Sequence, residues 1–167
     1  MLKRMLRAAR LEVGLYEEVE GDKSALGQAM LVVVLVAIAT GLANLSGAGS
    51  LGLVVGVLWG LAGWALWAWL TYFIGTKLLA APQTQSNWGE MARTLGFAQS
   101  PGVLRVLGLI PGLGTIIVLI TGVWQLVTMV VAVRQALDYT STWRAVAVVL
   151  IGFIPYAIVL ALISQLA

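Results

Sequence analysis

The sequence contains no cysteine and no histidine. Those two absences exclude structural zinc sites, thiol catalysis, disulfides, cysteine-held clusters and histidine-ligated haem. Charge is also scarce, at 10% of residues against roughly 25% in an ordinary soluble domain. No glycine-rich phosphate loop is present: Gly108-Leu109-Ile110-Pro111-Gly112-Leu113-Gly114 lacks the lysine and strand–helix context of such loops and reads as a tight interhelical turn. Basic residues cluster only at the N-terminus, so nothing points to nucleic acid. No cofactor, metal site or catalytic set is expected, and the chain reads as a non-enzyme.

What the sequence has is apolar surface. Hydrophobic residues make up 60% of 167, and the mean hydropathy is +0.98. The apolar residues fall into long blocks, near 25–45, 51–74, 111–134 and 144–166. Each reaches about 20 residues, enough to cross a hydrocarbon core of roughly 30 Å as a helix. Period-2 alternation is absent, so helices are expected rather than barrel strands.

A further segment, 88–110, is apolar but carries Glu90, Arg93, Gln99, Ser100 and Arg105, with Pro101 at its middle. Charge distribution decides how to read it. If it crosses, Lys77, Arg93 and the loop from Arg134 to Arg144 share a side with the basic N-terminus, as the positive-inside bias requires. If it does not, that loop falls outside. The expected fold is therefore an all-α polytopic bundle of five transmembrane helices over residues 24–167. The N-terminus is expected in the cytoplasm, in a bacterial inner membrane. Pro101 is expected to kink or break the third helix, and Pro155 to kink the last.

Residues 1–23 form a separate cytoplasmic region. Leu2, Met5, Leu6, Ala9, Val13 and Tyr16 recur at helical spacing on one side. Lys3, Arg4, Arg7 and Arg10 come first, and Glu12, Glu17, Glu18, Glu20 and Asp22 follow. The acidic residues rule out a secretory signal. An N-terminal amphipathic interfacial helix is expected, with its basic half on anionic lipid; a tail docked on a partner or on the bundle is the competing reading.

Among the intramembrane polar residues, Glu90 and Arg93 are three apart and are expected to pair near the inner interface. Asp138 and Arg134 are expected to form a structural pair at a helix end. Arg105 has two readings: it snorkels to the outer interface, or it is buried along a polar path or on a lipid headgroup. Gln99 and Gln125 join it as candidates for a polar path. Gly52, Gly56 and Gly60 are spaced by four, with Gly63 close to the same face. That spacing lets helix backbones approach, either inside the monomer or at a self-association face.

The stretch Leu95-Gly96-Phe97-Ala98-Gln99-Ser100-Pro101 carries a family resemblance. So do Trp124-Gln125-Leu126-Val127 through Ala132-Val133-Arg134-Gln135-Ala136-Leu137, and Thr142-Trp143-Arg144-Ala145. Over nearly its whole length the chain resembles the Yip family of membrane proteins, named for interaction with Ypt/Rab GTPases, and specifically its bacterial relatives. The resemblance implies a cytoplasmic N-terminal region and about five membrane helices. Eukaryotic members are associated with vesicle formation, Golgi organisation and Rab binding. Their long cytosolic domain corresponds here to roughly 23 residues, so neither that role nor any functional residue carries over. The expected function is a non-enzymatic organiser or scaffold whose partners are the bilayer, other membrane proteins or a second copy. An accessory subunit of a membrane complex and a small transporter are the alternatives.

Overall fold

The computed structural model describes residues 1–43 and 49–164. The expected ends of the first and last spans, at 45 and 166, and most of the 46–50 turn lie outside them. Two short helices come first, α1 (Leu2–Ala9) and α2 (Val13–Gly21). Five longer ones follow: α3 (Ala25–Ala43), α4 (Gly49–Phe73), α5 (Trp88–Ala98), α6 (Gly114–Ala136) and α7 (Thr142–Ser164). Four of these, α3, α4, α6 and α7, are long and apolar enough to cross a membrane. Their outward faces are lined with exposed residues such as Leu58, Leu119, Val123, Leu150 and Ile154, as lipid contact requires.

The segment with most polar residues is the centre of the molecule. Met91 to Ala98 are all buried, so α5 exposes no face over two turns. An all-round buried helix needs partners on every side, and α2, α3, α4 and α6 supply them. Asn87 and Glu90 close a capping box that starts α5. Its α-helical winding ends at Gln99. Ser100 donates to the Phe97 carbonyl at 2.6 Å, Pro101 follows, and the chain continues as a 3-10 segment, Ser100–Leu109. The break expected at Pro101 is thus a change of winding.

That change lengthens the segment. The rise per residue grows from about 1.5 Å to about 2.0 Å, and the chain keeps pace with α3, which runs beside it in the same direction. A Cβ placed on Gly96 would lie 2.6 Å from the Ala29 Cβ, one on Gly102 2.7 Å from Val36, and one on Gly108 3.3 Å from Ala43. Segment 88–109 therefore accompanies α3 from its second turn to its end.

Residues 1–23 make two helices rather than one. The break is at Leu11, whose φ of 61° lies in the left-handed region that ordinary side chains rarely adopt. The reversal folds α1 back on α2. Met5, Ala8, Leu15, Tyr16 and Val19 are buried, and both helices pack on α5 and α6. At the other loop of this end, Tyr139 donates to the Gly75 and Leu79 carbonyls, at 2.9 and 2.8 Å. It closes a π-helical turn, Ile74–Leu78, that ends α4. α7 remains helical through Pro155.

Candidate functional site

Polar side chains inside the bundle gather around Arg105. The 3-10 segment carries this residue between α3 and α6. There Nε donates to the Thr121 hydroxyl at 3.5 Å, Nη1 to the Thr40 hydroxyl at 3.4 Å, and Nη2 to the Gln125 amide oxygen. Gln125 donates in turn to the Gln99 carbonyl at 3.2 Å, and the Thr128 hydroxyl donates to the Ala98 carbonyl at 2.6 Å. The last two bonds catch backbone carbonyls exposed where the α-winding stops, the groups a helix end leaves without partners. Gly102 makes the arrangement possible, since a Cβ there would meet the Gln125 amide nitrogen at 2.6 Å.

Arg105 is half-buried, and its side chain runs inward. Its Nε lies at Thr121 and its Nη2 at Gln125, one turn further from the Gly114 end of α6. The guanidinium thus points toward the middle of the bundle, opposite to snorkelling. All its partners are neutral, and among the described residues no carboxylate pairs with it.

Two cavities meet at this residue and share Gly60, Gln99 and Arg105 as lining. One, of about 310 Å³, lies between α3 and α4 over Gly52, Gly56 and Gly60. The other, of about 240 Å³, is walled by Trp59, Trp67, Met129, Phe153 and Tyr156. The glycine face is therefore split. Gly60 and Gly63 serve packing: a Cβ would lie 3.2 Å from the Ala37 Cβ and 2.8 Å from the Tyr156 hydroxyl respectively. Gly56 has nothing within 4 Å of such a position.

The other candidate residues go elsewhere. Glu90 and Arg93 do not pair: Glu90 accepts from the Asn87 amide at 2.9 Å. Arg93, buried, donates from Nε to the Val19 carbonyl at 2.8 Å and from Nη2 to the Glu20 carbonyl. Those carbonyls belong to the last turn of α2, where a cation complements the helix dipole. Trp124 does the same for α1, donating to the Ala9 carbonyl at 2.8 Å. The bundle thus caps the C-terminal ends of both N-terminal helices, a role the sequence pattern did not single out for either residue. Arg134 likewise reaches the Tyr139 and Thr140 carbonyls, at 3.2 and 3.4 Å, instead of Asp138.

Of the four basic residues in and just after α1, two turn to α2 and its flanks. Arg4 donates to Glu18 at 2.8 Å and to Asp22 at 2.9 Å, and Arg7 to Glu12 at 2.8 Å and to Glu18 at 2.5 Å. Lys3 and Arg10 remain exposed, beside exposed Leu2 and Leu6. Hydrogen bonds from Arg7 and then Arg4 hold the Glu18 carboxyl below its ordinary range. Glu20 is shifted oppositely, to about 7, first by burial and then by the nearby carboxylates of Asp138, Glu90 and Glu17.

Helices with lipid-facing apolar surfaces around a small polar interior define a multi-pass α-helical membrane protein. More particularly, this chain belongs to the Yip1 domain family, which matches it over residues 15–163. No curated protein and no solved structure matches the chain.

Proposed function

We propose that this chain is a non-enzymatic membrane protein that shapes the bilayer from its cytoplasmic side. It crosses five times, with its N-terminus in the cytoplasm of a bacterial inner membrane. The fifth crossing is segment 88–109, supported by its course along α3 and by its buried α5. With it, Lys77, Arg93, Arg134 and Arg144 lie toward the N-terminal pair's end of the bundle, in keeping with the positive-inside bias.

One observation carries the shaping role: the N-terminal pair packs on a single side of the bundle, the one formed by α5, the 3-10 segment and α6. Its fixed points are Gln28 in the first turns of α3, Arg93 in the second turn of α5, and Trp124 at the middle of α6. Exposed Leu2, Leu6 and Val13 then meet the inner leaflet, with Lys3 and Arg10 suited to anionic headgroups. Held to the bundle and seated in the inner leaflet, the pair expands that leaflet relative to the other. An inclusion that fits curved bilayers better must, by linkage, favour curvature. A transport role has less support, because Arg105 and Gln125 are engaged with each other while Glu90 caps α5 and Arg93 caps α2.

Reconstitution into liposomes tests the proposal. The full chain is expected to convert large vesicles to narrower ones or tubules at high protein density. A chain lacking residues 2–16, with bundle helicity intact, is expected to leave them round. Equal remodelling by both would sink the role assigned to the N-terminal pair.

A further inference from the structure

The Arg105 cluster has an electrostatic property that packing alone does not explain. A guanidinium carries five N–H donors and a full charge that stays on at any relevant pH. Here it faces two threonine hydroxyls and one amide oxygen. A lone cation in an apolar bundle is expensive, and such residues pair with an opposite charge or line a site. The carboxylates of the chain are Glu12, Glu17, Glu18, Glu20, Asp22, Glu90 and Asp138. Five precede α3, Glu90 caps the start of α5, and Asp138 follows α6, and none of them pairs with Arg105. Among the described residues the guanidinium has no counter-charge.

The surroundings of Arg105 indicate what carries it. Thr121 is seven and Gln125 eleven residues from the start of α6. The guanidinium therefore lies roughly 10–16 Å below that helix end, at 1.5 Å per residue. A phosphate reaches it only by being drawn inward from the interface between the helices. The cavity between α3 and α4 runs inward from Gly41 and Gly52, past Gly56 and Arg105, to Val33 and Gly60. A narrow slot of this kind, apolar apart from the cation, admits an anionic head with an acyl chain beyond it.

We propose that Arg105 binds the phosphate of an anionic phospholipid drawn into the α3–α4 slot past Gly56. Thr40, Thr121 and Gln125 position the guanidinium, and their neutrality leaves its charge for the ligand. Binding requires only that the bundle sit in lipid, not that the N-terminal pair shape it.

The test is native mass spectrometry of the full chain in mild detergent, titrated separately with phosphatidylglycerol, phosphatidylcholine and inorganic phosphate. Wild type is expected to retain one phosphatidylglycerol at about tenfold lower concentration than phosphatidylcholine, a ratio worth about 1.4 kcal/mol. Arg105→Gln is expected to erase that preference, and Arg105→Lys to keep part of it. Gly56→Leu, whose side chain enters open space, is expected to lower retention of both lipids while preserving the melting temperature. It covers the case in which Arg105→Gln fails to fold. Undiminished phosphatidylglycerol preference in Arg105→Gln would overturn the proposal, as would undiminished retention in Gly56→Leu. Saturation by inorganic phosphate with no preference between the two lipids would overturn it in favour of a free-anion site.

Discussion

Glycines in this bundle do different work at different positions, and single substitutions should separate them. At Gly96 an added methyl would lie 2.6 Å from the Ala29 Cβ and 3.1 and 3.2 Å from its backbone atoms. Backbone cannot yield as a flexible side chain can, so Gly96→Ala is expected to cost about 1–3 kcal/mol by overpacking. At Gly56 the space is open, and Gly56→Ala should gain up to about 1 kcal/mol from helix propensity. Unfolding titrations of the two variants in mixed micelles should therefore move in opposite directions. The four-residue glycine spacing on α4 was legible in the sequence. Which glycines touch a neighbour was not, because that depends on what α3 and α7 place opposite them. Arg105 makes the same point: its depth could be estimated from the chain, but its direction follows from where Thr121 and Gln125 stand on another helix.

The N-terminal pair is the element whose behaviour should depend on pH. Glu20 titrates near 7 when α2 is docked, above the ordinary carboxylate range. An acid whose folded pKa is raised favours the docked state at low pH, and that contribution is lost as pH rises through about 4.5 to 7. Glu18 and Asp22 are displaced the other way, Glu18 by Arg7 and Arg4, Asp22 by Ser24 and Arg4. Their contribution is present above the ordinary carboxylate range and lost as pH falls below it. Docking is thus expected to tighten from pH 7 to about 5 and to loosen below about 4. Hydrogen exchange of residues 2–21 across that range would follow it. Glu20→Gln should abolish the rise between 7 and 5 and leave the acid-side loss. Heptad-like spacing and charge order made this region readable as amphipathic. The reversal at Leu11 and the caps from Arg93 and Trp124 were not readable, since both caps come from helices more than 70 residues away in the chain.

At the scale of the whole molecule, the open quantity is the number of crossings, and the absence of native cysteine makes it accessible. Single cysteines at exposed Gln85, Leu113 and Thr140 would lie in the three loops that flank segment 88–109 and α6. Impermeant thiol labelling of intact cells is expected to reach position 113 from outside. Positions 85 and 140 should label only after permeabilisation. Labelling of 140 but not 113 in intact cells would mean that segment 88–109 does not cross.

The sequence by itself determined the membrane class and the four long apolar helices. These depend on composition and local periodicity, which a single helix expresses whatever surrounds it. Only the tertiary structure decided that the most polar segment is the centre of the bundle. The same apolar residues serve equally against lipid or protein, so a hydrophobic run does not say which face is buried. Polar residues at 88–102 are tolerated because α5 and the first turn of the 3-10 segment are buried among other helices, while Leu104, Leu107 and Leu109 beyond them are exposed. Where Arg105 points, and what the glycines leave open beside it, follows from that burial.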